Sequence, residues 1–468
     1  MLFNSFEFIC IFFPLVTGLY FALPHRWRWL LLLVASCWFY MAFVPVYILI
    51  LAFTIGVDYF AGLWIEQSEG RKRKLLLTAS IFANVGVLAF FKYFNFLNES
   101  IAAVVRGLGF HYGVPDLGIL LPIGLSFHTF QSLSYTVEVY RGHHPAERNP
   151  GIFALYVMFY PQLVAGPIER PQALLPQFHA RKQFNADDFQ YGLTRMVFGF
   201  FKKVVVADRL APYVDAVYAD IPGSNGLTIL VATVFFAVQI YCDFSGYSDI
   251  AIGAARVMGF RLMENFRRPY LSTSVSEFWS RWHISLSSWF RDYLYIPLGG
   301  NRVVKWRWYY NLFIVFLVSG LWHGADWTYV IWGGLHGTYL VAALVLRPAT
   351  DRLGRALPGL LIRAFGLLST FTLVTLAWVF FRATTAGDAF LGLRKMVTMQ
   401  GAWQVGNGHV ATSMFHFFGC TAVIGLLLLS GKLPMDLRVR HPRTFVTTTV
   451  LLILLLGRNG GDFIYFQF

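Results

Sequence analysis

Long apolar runs recur along almost the whole chain, and they limit its possible folds more than any other feature. Hydrophobic residues make up 57% of the 468 residues, and charged residues only 13%. A helix that crosses a bilayer needs roughly 20 mainly apolar residues. The candidate spans are residues 6–23, 29–43, 47–65, 75–97, 119–140, 152–165, 193–206, 227–241, 310–322, 328–346, 360–381, 412–429 and 446–456.

These runs predict an all-α polytopic membrane protein whose residues 1–468 form one integral-membrane domain. Several runs are short for a full crossing, and we interpret them as tilted, re-entrant or half-membrane segments. We therefore expect roughly eleven true crossings. No soluble segment is long enough to fold by itself.

The net charge of +14 is better explained by membrane topology than by nucleic-acid binding. Short cytoplasmic loops of membrane proteins are enriched in Lys and Arg. Basic residues cluster at 25–28, after the first span, and at 71–74, after the third. Both loops are therefore predicted to face the cytoplasm, which places the N-terminus on the opposite, outer side of the membrane.

A histidine ends one of the apolar runs, in the sequence FIVFLVSGLWHGADW. This residue is His323, and Asp326 follows three positions later. An ionisable side chain at the end of a span is costly to desolvate and by default suggests a function. Histidine is also well suited to proton transfer near neutral pH. The alternative is a helix cap near the headgroups, and these residues alone leave both interpretations open.

Between residues 241 and 302 the apolar pattern stops, and aromatic residues alternate with polar ones. Residues 274–292 have helical periodicity, with aromatic residues on one face and His283 among serines on the other. This pattern predicts an amphipathic interfacial helix held at the headgroups by Arg281 and Arg291. A surface anchor with an incidental histidine is the alternative.

Metal and disulfide sites are not indicated. Asp243, Ser245, Ser248 and Asp249 lack the spacing of an EF-hand, so a structural role at a helix break near Gly246 is the better interpretation. The four cysteines have no CxxC spacing, and we interpret them as small buried hydrophobic residues. We expect no metal and no bound cofactor.

Five segments together resemble the membrane-bound O-acyltransferase family. They are LPIGLSFHTFQSLSYTVEVYRG (121–142), FYPQLVAGPIER (159–170), YCDFSGYSDIAIG (241–253), MENFRRPYLSTSVSEFWSRWHISLSSWFRDYLYIPLGGNR (263–302) and LWHGADWTYVIWGGLHG (321–337). The resemblance is to the bacterial branch that O-acetylates exopolysaccharides such as alginate and cellulose. It extends over nearly the whole chain.

The resemblance implies a bundle of transmembrane helices around a central funnel, with its catalytic centre in residues 241–337. The LWHG motif places the buried histidine at His323, and RWHISLS places a second tunnel residue at His283. Members of this branch act as relays in the bacterial inner membrane. They take an acyl group from a cytoplasmic donor, most simply acetyl-CoA, and pass it to a periplasmic SGNH-type acetyltransferase beside a polysaccharide synthase or secretion complex.

The tail at residues 463–468, FIYFQF, resembles a short C-terminal motif of this branch. By that resemblance Tyr465 is the candidate acyl carrier, whereas composition alone favours an interfacial anchor. An attacking hydroxyl needs a base, and burial favours the neutral imidazole that can serve. Possible oxyanion or tunnel residues are Asn265, Trp322 and Asp326, and Arg281 and Arg291 are candidates for donor binding.

Other functions remain open from the sequence. A secondary transporter or polysaccharide flippase would explain the helices and the buried polar groups, but it predicts paired broken helices in two repeated halves. A scaffold for a secretion complex would leave His323 replaceable. Within the family, peptidoglycan O-acetylation and D-alanyl transfer are the alternatives.

Overall fold

A computed structural model describes residues 1–118, 122–164, 166–401, 414–432, 442–458 and 463. Across these ranges the regular structure is helical, without strands, which confirms the predicted all-α class. The chain forms two compact units, one of residues 1–196 and 250–263 and the other of residues 197–249 and 264–468. Two of the three boundaries fall inside the helices Ala186–Phe200 and Gly226–Val257, and the third lies between residues 263 and 264, outside the helices.

The first unit is built from helices that include π and 3-10 segments. Its helices are Glu7–Phe12, Phe13–Ala22, His25–Met41, Pro45–Tyr47, Ile48–Glu66, Gly70–Leu88, Ala89–Tyr93, Phe94–Gly107, Leu125–Arg141, Pro150–Met158, Tyr160–Leu163, Pro171–His179, most of Ala186–Phe200 and the end of Gly226–Val257.

The second unit carries the remaining helices. They are Phe201–Ala207, Asp208–Ala219, most of Gly226–Val257, Pro269–Leu271, Val275–Arg281, Ile284–Phe290, Arg291–Tyr295, Lys305–His323, Trp327–Ala356, Gly359–Arg382, Ala386–Thr398, Met414–Lys432 and Pro442–Leu456.

Five helices among the described residues are long and apolar enough to cross a membrane, so the chain is a multi-pass membrane protein. They are Pro45–Glu66, Gly70–Gly107, Gly226–Val257, Trp327–Ala356 and Gly359–Arg382. Shorter apolar helices accompany them at Glu7–Ala22, Phe417–Leu427 and Thr444–Leu456. The predicted number of eleven crossings is not confirmed by these bounds.

A buried aspartate joins three helices of the first unit. Asp58 accepts hydrogen bonds from Ser80 Oγ at 2.5 Å, from Asn84 Nδ2 at 2.9 Å and from Ser132 Oγ. A polar side chain at this depth needs such partners, because neither lipid nor the apolar core can supply them. The contacts therefore fix the relative positions of helices Ile48–Glu66, Gly70–Leu88 and Leu125–Arg141.

Irregular backbone lies next to Pro122 and Pro161. Gly124, with φ of 75°, precedes helix Leu125–Arg141, and the chain turns at Phe159 between two short helices. Gln131 satisfies the interrupted backbone by donating to Tyr156 O at 2.7 Å and accepting from the Glu169 N–H at 3.1 Å. This bonding explains how irregular backbone is tolerated inside the protein.

In the second unit, two consecutive lysines hold a π-helical turn against the YCDFSGYSD segment. Lys203 Nζ lies 2.5 Å from Asp243 and 3.0 Å from Asp208, and Lys202 Nζ lies 2.5 Å from Asp249. These ion pairs let the polar segment stay helical. The helix break predicted near Gly246 is therefore wrong, because Gly226–Val257 is one continuous helix of 32 residues.

The helices Lys305–His323 and Trp327–Ala356 form a close antiparallel pair. A Cβ at Gly320 would lie 2.3 Å from Tyr329 O, and one at Gly333 would lie 2.3 Å from Phe316 O. Only glycine permits this backbone approach, which is typical of tightly packed membrane helices. The pairing determines where His323, at the end of the first helix, comes to lie.

Candidate active site

His323 sits in an enclosure of aromatic rings in the second unit. It is the last residue of helix Lys305–His323 and is 3% exposed. Its imidazole meets Trp322, Trp332 and Phe381 edge-on, with centroid distances of 4.8, 5.0 and 5.4 Å. Such surroundings exclude water and hold the ring in one position.

The glycine of the LWHG motif is required by a second close approach. A Cβ on Gly324 would lie 2.1 Å from the ring of Tyr329. The chain can therefore leave the helix directly after His323 and run past this ring. The sequence suggested His323 as a site from its position at the end of an apolar run, but the aromatic enclosure comes from helices distant in sequence.

His283 lies at a break between two short helices. Helix Val275–Arg281 ends before Trp282, helix Ile284–Phe290 begins after His283, and His283 itself has φ 44° and ψ 56°. The continuous helix predicted for residues 274–292 is thus wrong. His283 is fully buried rather than on a serine-rich face, and burial lowers the pKa of its imidazole to about 3, so the ring is neutral.

Asn265 accounts for this break. Its side-chain carbonyl accepts from His283 Nδ1 at 3.1 Å, from Ser285 Oγ at 2.9 Å and from the Ser285 N–H at 3.2 Å. Its backbone carbonyl accepts from the Ile284 N–H at 3.0 Å. Four donors from residues 283–285 therefore bind to one residue. These hydrogen bonds offset the energetic cost of the left-handed backbone conformation of His283.

Trp322 lies beside both histidines. Its ring centroid is 6.1 Å from that of His283 and 4.8 Å from that of His323. Phe244 also packs edge-on against His283, with the two ring centroids 4.6 Å apart. The structure thus brings together four of the residues predicted from the sequence: His283, His323, Trp322 and Asn265.

The other predicted residues lie elsewhere in the second unit. Asp326 precedes helix Trp327–Ala356 and accepts from the Thr328 N–H at 2.7 Å, as an N-cap residue does. Arg281 pairs with Glu277 at 2.5 Å, and Arg291 pairs with Asp292 at 2.8 Å. The Arg281 side chain is partly exposed, and the Arg291 side chain is exposed.

A cavity of about 230 Å³ lies next to the helix that ends in His323. Arg291 and Ser287 line it together with Ser319, which is one helical turn before His323. Most of its wall is apolar: Trp279, Leu286, Phe290, Leu312, Val315, Phe316 and Leu340. A small molecule with an anionic end and an apolar end fits this distribution of groups.

His336 was not among the site residues predicted from the sequence. This fully buried histidine accepts from Trp279 Nε1 at 3.2 Å, and its ring is 4.9 Å from that of Trp332. The available signal was a single histidine, in GGLHG, within a spanning helix. No three His, Cys, Asp or Glu side chains in the described part of the chain are placed to hold a metal ion.

The described part of the C-terminal tail is a single residue, Phe463, and Tyr465 lies outside the described residues. Phe463 is 2% exposed. It stacks on Tyr247 with a centroid distance of 4.6 Å and lies 5.9 Å from Phe244. Because Phe244 also contacts His283, the tail reaches the edge of the site at this point.

Comparison with known proteins identifies the family. The sequence model of the membrane-bound O-acyltransferase family matches residues 149–356, which include both histidines. A probable alginate O-acetylase of Azotobacter vinelandii is 44% identical over 385 residues, which cover 82% of this chain and 75% of the relative.

Two further relatives come from other bacteria. A probable alginate O-acetylase of Pseudomonas aeruginosa is 43% identical, over 86% of this chain and 76% of its own length. A peptidoglycan O-acetyltransferase of Helicobacter pylori is 35% identical, over 86% of this chain and 80% of its own length. The chain belongs to the membrane-bound O-acyltransferase family and is a membrane-bound acyltransferase.

Proposed function

We propose that this chain relays acetyl groups from cytoplasmic acetyl-CoA across the bacterial inner membrane to a periplasmic SGNH-type acetyltransferase, which O-acetylates an exopolysaccharide of the alginate or cellulose type. The observation that carries the proposal is the pair of buried imidazoles, His283 and His323, on either side of Trp322. The relatives named alginate O-acetylases favour acetyl as the transferred group.

In the proposed chemistry, His323 is the base for one attacking oxygen, and the second imidazole, His283, contacts the donor. A hydroxyl oxygen attacks the thioester carbonyl, His323 takes the hydroxyl proton, and the tetrahedral intermediate collapses with release of the thiolate. The imidazolium then returns its proton to the leaving thiolate, so one ester and one thiol are formed. Exclusion of water around His323 protects the acetyl group from hydrolysis.

We assign the attacking oxygen to Tyr465. Phe463, two positions earlier, is buried against Tyr247 and Phe244, and Phe244 touches His283. Tyr465 follows Phe463 by two positions in the sequence. The acetyl-tyrosine ester would then pass its acetyl group to a hydroxyl of the periplasmic partner, which restores the phenol.

The donor is assigned to the side of the cavity that Arg291 lines. The phosphates of acetyl-CoA would bind Arg291 and Arg281. Its thioester end would enter the apolar part of the cavity, beside Ser319. This orientation requires that side to be cytoplasmic. The exposed basic residues Arg71, Lys72 and Lys74 at the start of helix Gly70–Leu88 support a cytoplasmic loop there and a periplasmic N-terminus.

One experiment separates this function from transport and from a scaffold role. A strain that lacks the chain is complemented with the wild type or with His323→Ala, and polymer-bound acetate and secreted polymer are both measured. The proposal expects His323→Ala to secrete normal amounts of unacetylated polymer. Loss of secretion would favour a flippase, and normal acetylation would favour a scaffold.

Peptidoglycan is the second candidate acceptor, because the Helicobacter pylori relative covers most of this chain. Ester-linked acetate released from purified peptidoglycan and from exopolysaccharide is compared in the same strains. If acetate disappears only from peptidoglycan, peptidoglycan would take the place of the exopolysaccharide as the proposed acceptor. The acyltransfer chemistry at His323 would be unchanged.

A further inference from the structure

The side-chain carbonyl of Asn265 is the meeting point of three buried donors. Ser285 Oγ lies 2.9 Å from Asn265 Oδ1, His283 Nδ1 lies at 3.1 Å and the Ser285 N–H at 3.2 Å. The exposed fractions of Asn265, His283 and Ser285 are 1%, 0% and 1%. Water therefore does not compete for these bonds.

The amide of Asn265 has only one orientation that satisfies its neighbours. A backbone N–H can donate but never accept, so the atom that faces Ser285 N must be the oxygen. The Nδ2 group then points toward Ser248 Oγ, at 3.4 Å, which can accept. A flipped amide would set two donors against each other at Ser285.

This orientation determines which nitrogen of His283 carries the proton. An oxygen that faces Nδ1 at 3.1 Å makes a hydrogen bond only if Nδ1 is protonated. In a neutral imidazole the proton is on one nitrogen, and the other has the lone pair. The lone pair of His283 therefore lies on Nε2.

We propose that Asn265 is a positioning residue that holds His283 as the Nδ1–H tautomer, so that Nε2 is the basic nitrogen with which His283 acts on the reacting groups. The action of Nε2 on the reacting groups rests on the proposed acyl transfer, whereas the tautomer does not. The role differs from the oxyanion donor expected from the sequence, because the Asn265 carbonyl accepts from His283 and its amide donates to Ser248.

The tautomer is measured directly by ¹⁵N NMR of the full chain in nanodiscs at pH 7, with histidine labelled in both ring nitrogens. The His283 signals are identified by their absence from His283→Gln. We expect a protonated Nδ1 and an unprotonated Nε2. The reverse pattern in the wild-type protein would overturn the proposal, whatever the variants do.

Two substitutions then test the role of Asn265. Asn265→Leu keeps a similar volume without an acceptor and is expected to give a mixture of tautomers and to lower acetyl transfer by roughly 10²-fold, within the range of one base. Asn265→Asp keeps an oxygen opposite Nδ1 and is expected to restore the Nδ1–H signal. A single Nδ1–H tautomer that persists in Asn265→Leu would contradict the assignment.

The matched control is Asn311→Leu. Asn311 is equally buried in the same unit, but its amide donates to the carbonyls of Leu298 and Gly300 at 3.1 and 3.0 Å. The His283 signals should not change in this variant. An Nδ1–H spectrum in a protein that transfers no acetyl group would support this inference and refute the proposed function, so the two failures are distinguishable.

Discussion

Trp332 stands edge-on against His323, with the two ring centroids 5.0 Å apart, although the residues belong to different helices. The contact exists because Gly320 and Gly333 let those helices approach until a Cβ on either would lie 2.3 Å from the partner backbone. The same indole stacks on Trp378 at 5.6 Å, which extends the enclosure into helix Gly359–Arg382. Helix packing thus shapes the surroundings of the proposed base.

Replacement of His323 by alanine should abolish acetyl transfer while the protein still inserts. Loss of a single base lowers the rate by roughly 10²–10⁴-fold. Acetate released by alkali from purified polymer measures the effect, and His111→Ala, at an exposed position, is the control. Near-normal acetylation by well-expressed His323→Ala would refute the catalytic role.

Replacement of Tyr465 by phenylalanine should stop polymer acetylation, because it removes the proposed carrier oxygen and leaves the aromatic ring. Mass spectrometry of the C-terminal peptide after incubation with acetyl-CoA should find an acetyl group on the wild-type protein only. If the tail is merely an interfacial anchor, the phenylalanine variant should behave like the wild type, since Phe is also at home in the interface.

Substitution of Gly333 by valine should destabilise the detergent-solubilised protein by about 1–3 kcal/mol or more, because the new side chain meets Phe316 O. Thermal unfolding of the purified protein gives the measurement. Gly86→Val is the matched control, since nothing lies within 4 Å of a Cβ at Gly86. Equal losses in both variants would show that close helix approach at Gly333 does not matter.

Lys202→Met should destabilise the protein by about 3–5 kcal/mol, because it removes one partner of a buried ion pair with Asp249. The double substitution Lys202→Met with Asp249→Leu should recover part of that loss, since no buried carboxylate remains at that position. Unfolding free energies of the two variants provide the test. A double variant less stable than Lys202→Met alone would contradict this account.

Burial of His283 predicts a pH dependence of stability. Its folded pKa, about 3, lies below the usual value of 6.5, so between these pH values the unfolded chain binds a proton that the folded protein excludes. Stability should therefore fall as the pH drops below about 6.5, by up to about 1.4 kcal/mol per pH unit.

Replacement of His283 by glutamine should make the unfolding free energy less dependent on pH in this range. The number of protons taken up on unfolding should fall by up to one per molecule. Unfolding of wild type and His283→Gln from pH 7 to pH 4 provides the comparison. Identical slopes would mean that His283 is protonated in the folded protein. Above pH 6.5 the His283 imidazole should cause no difference between the two proteins in the slope of unfolding free energy against pH.

The sequence by itself determined the fold class and the family, and it indicated two histidines as candidate site residues. Long apolar runs require helices because lipid cannot satisfy an open backbone, and the LWHG and RWHISLS motifs indicated His323 and His283. The fold class and the family could be inferred because they depend on local composition and on fixed motif order.

The tertiary structure alone decided how those histidines are held. Helical periodicity predicted an unbroken helix through His283, but Asn265, eighteen residues earlier, binds residues 283–285 and breaks it. Likewise, the YCDFSGYSD segment was expected to break its helix, yet Lys202 and Lys203 from another helix pair with its carboxylates and keep it intact. Periodicity records the preferences of one segment, whereas buried polar groups are satisfied by partners from elsewhere in the chain, and only the packed structure brings those partners together.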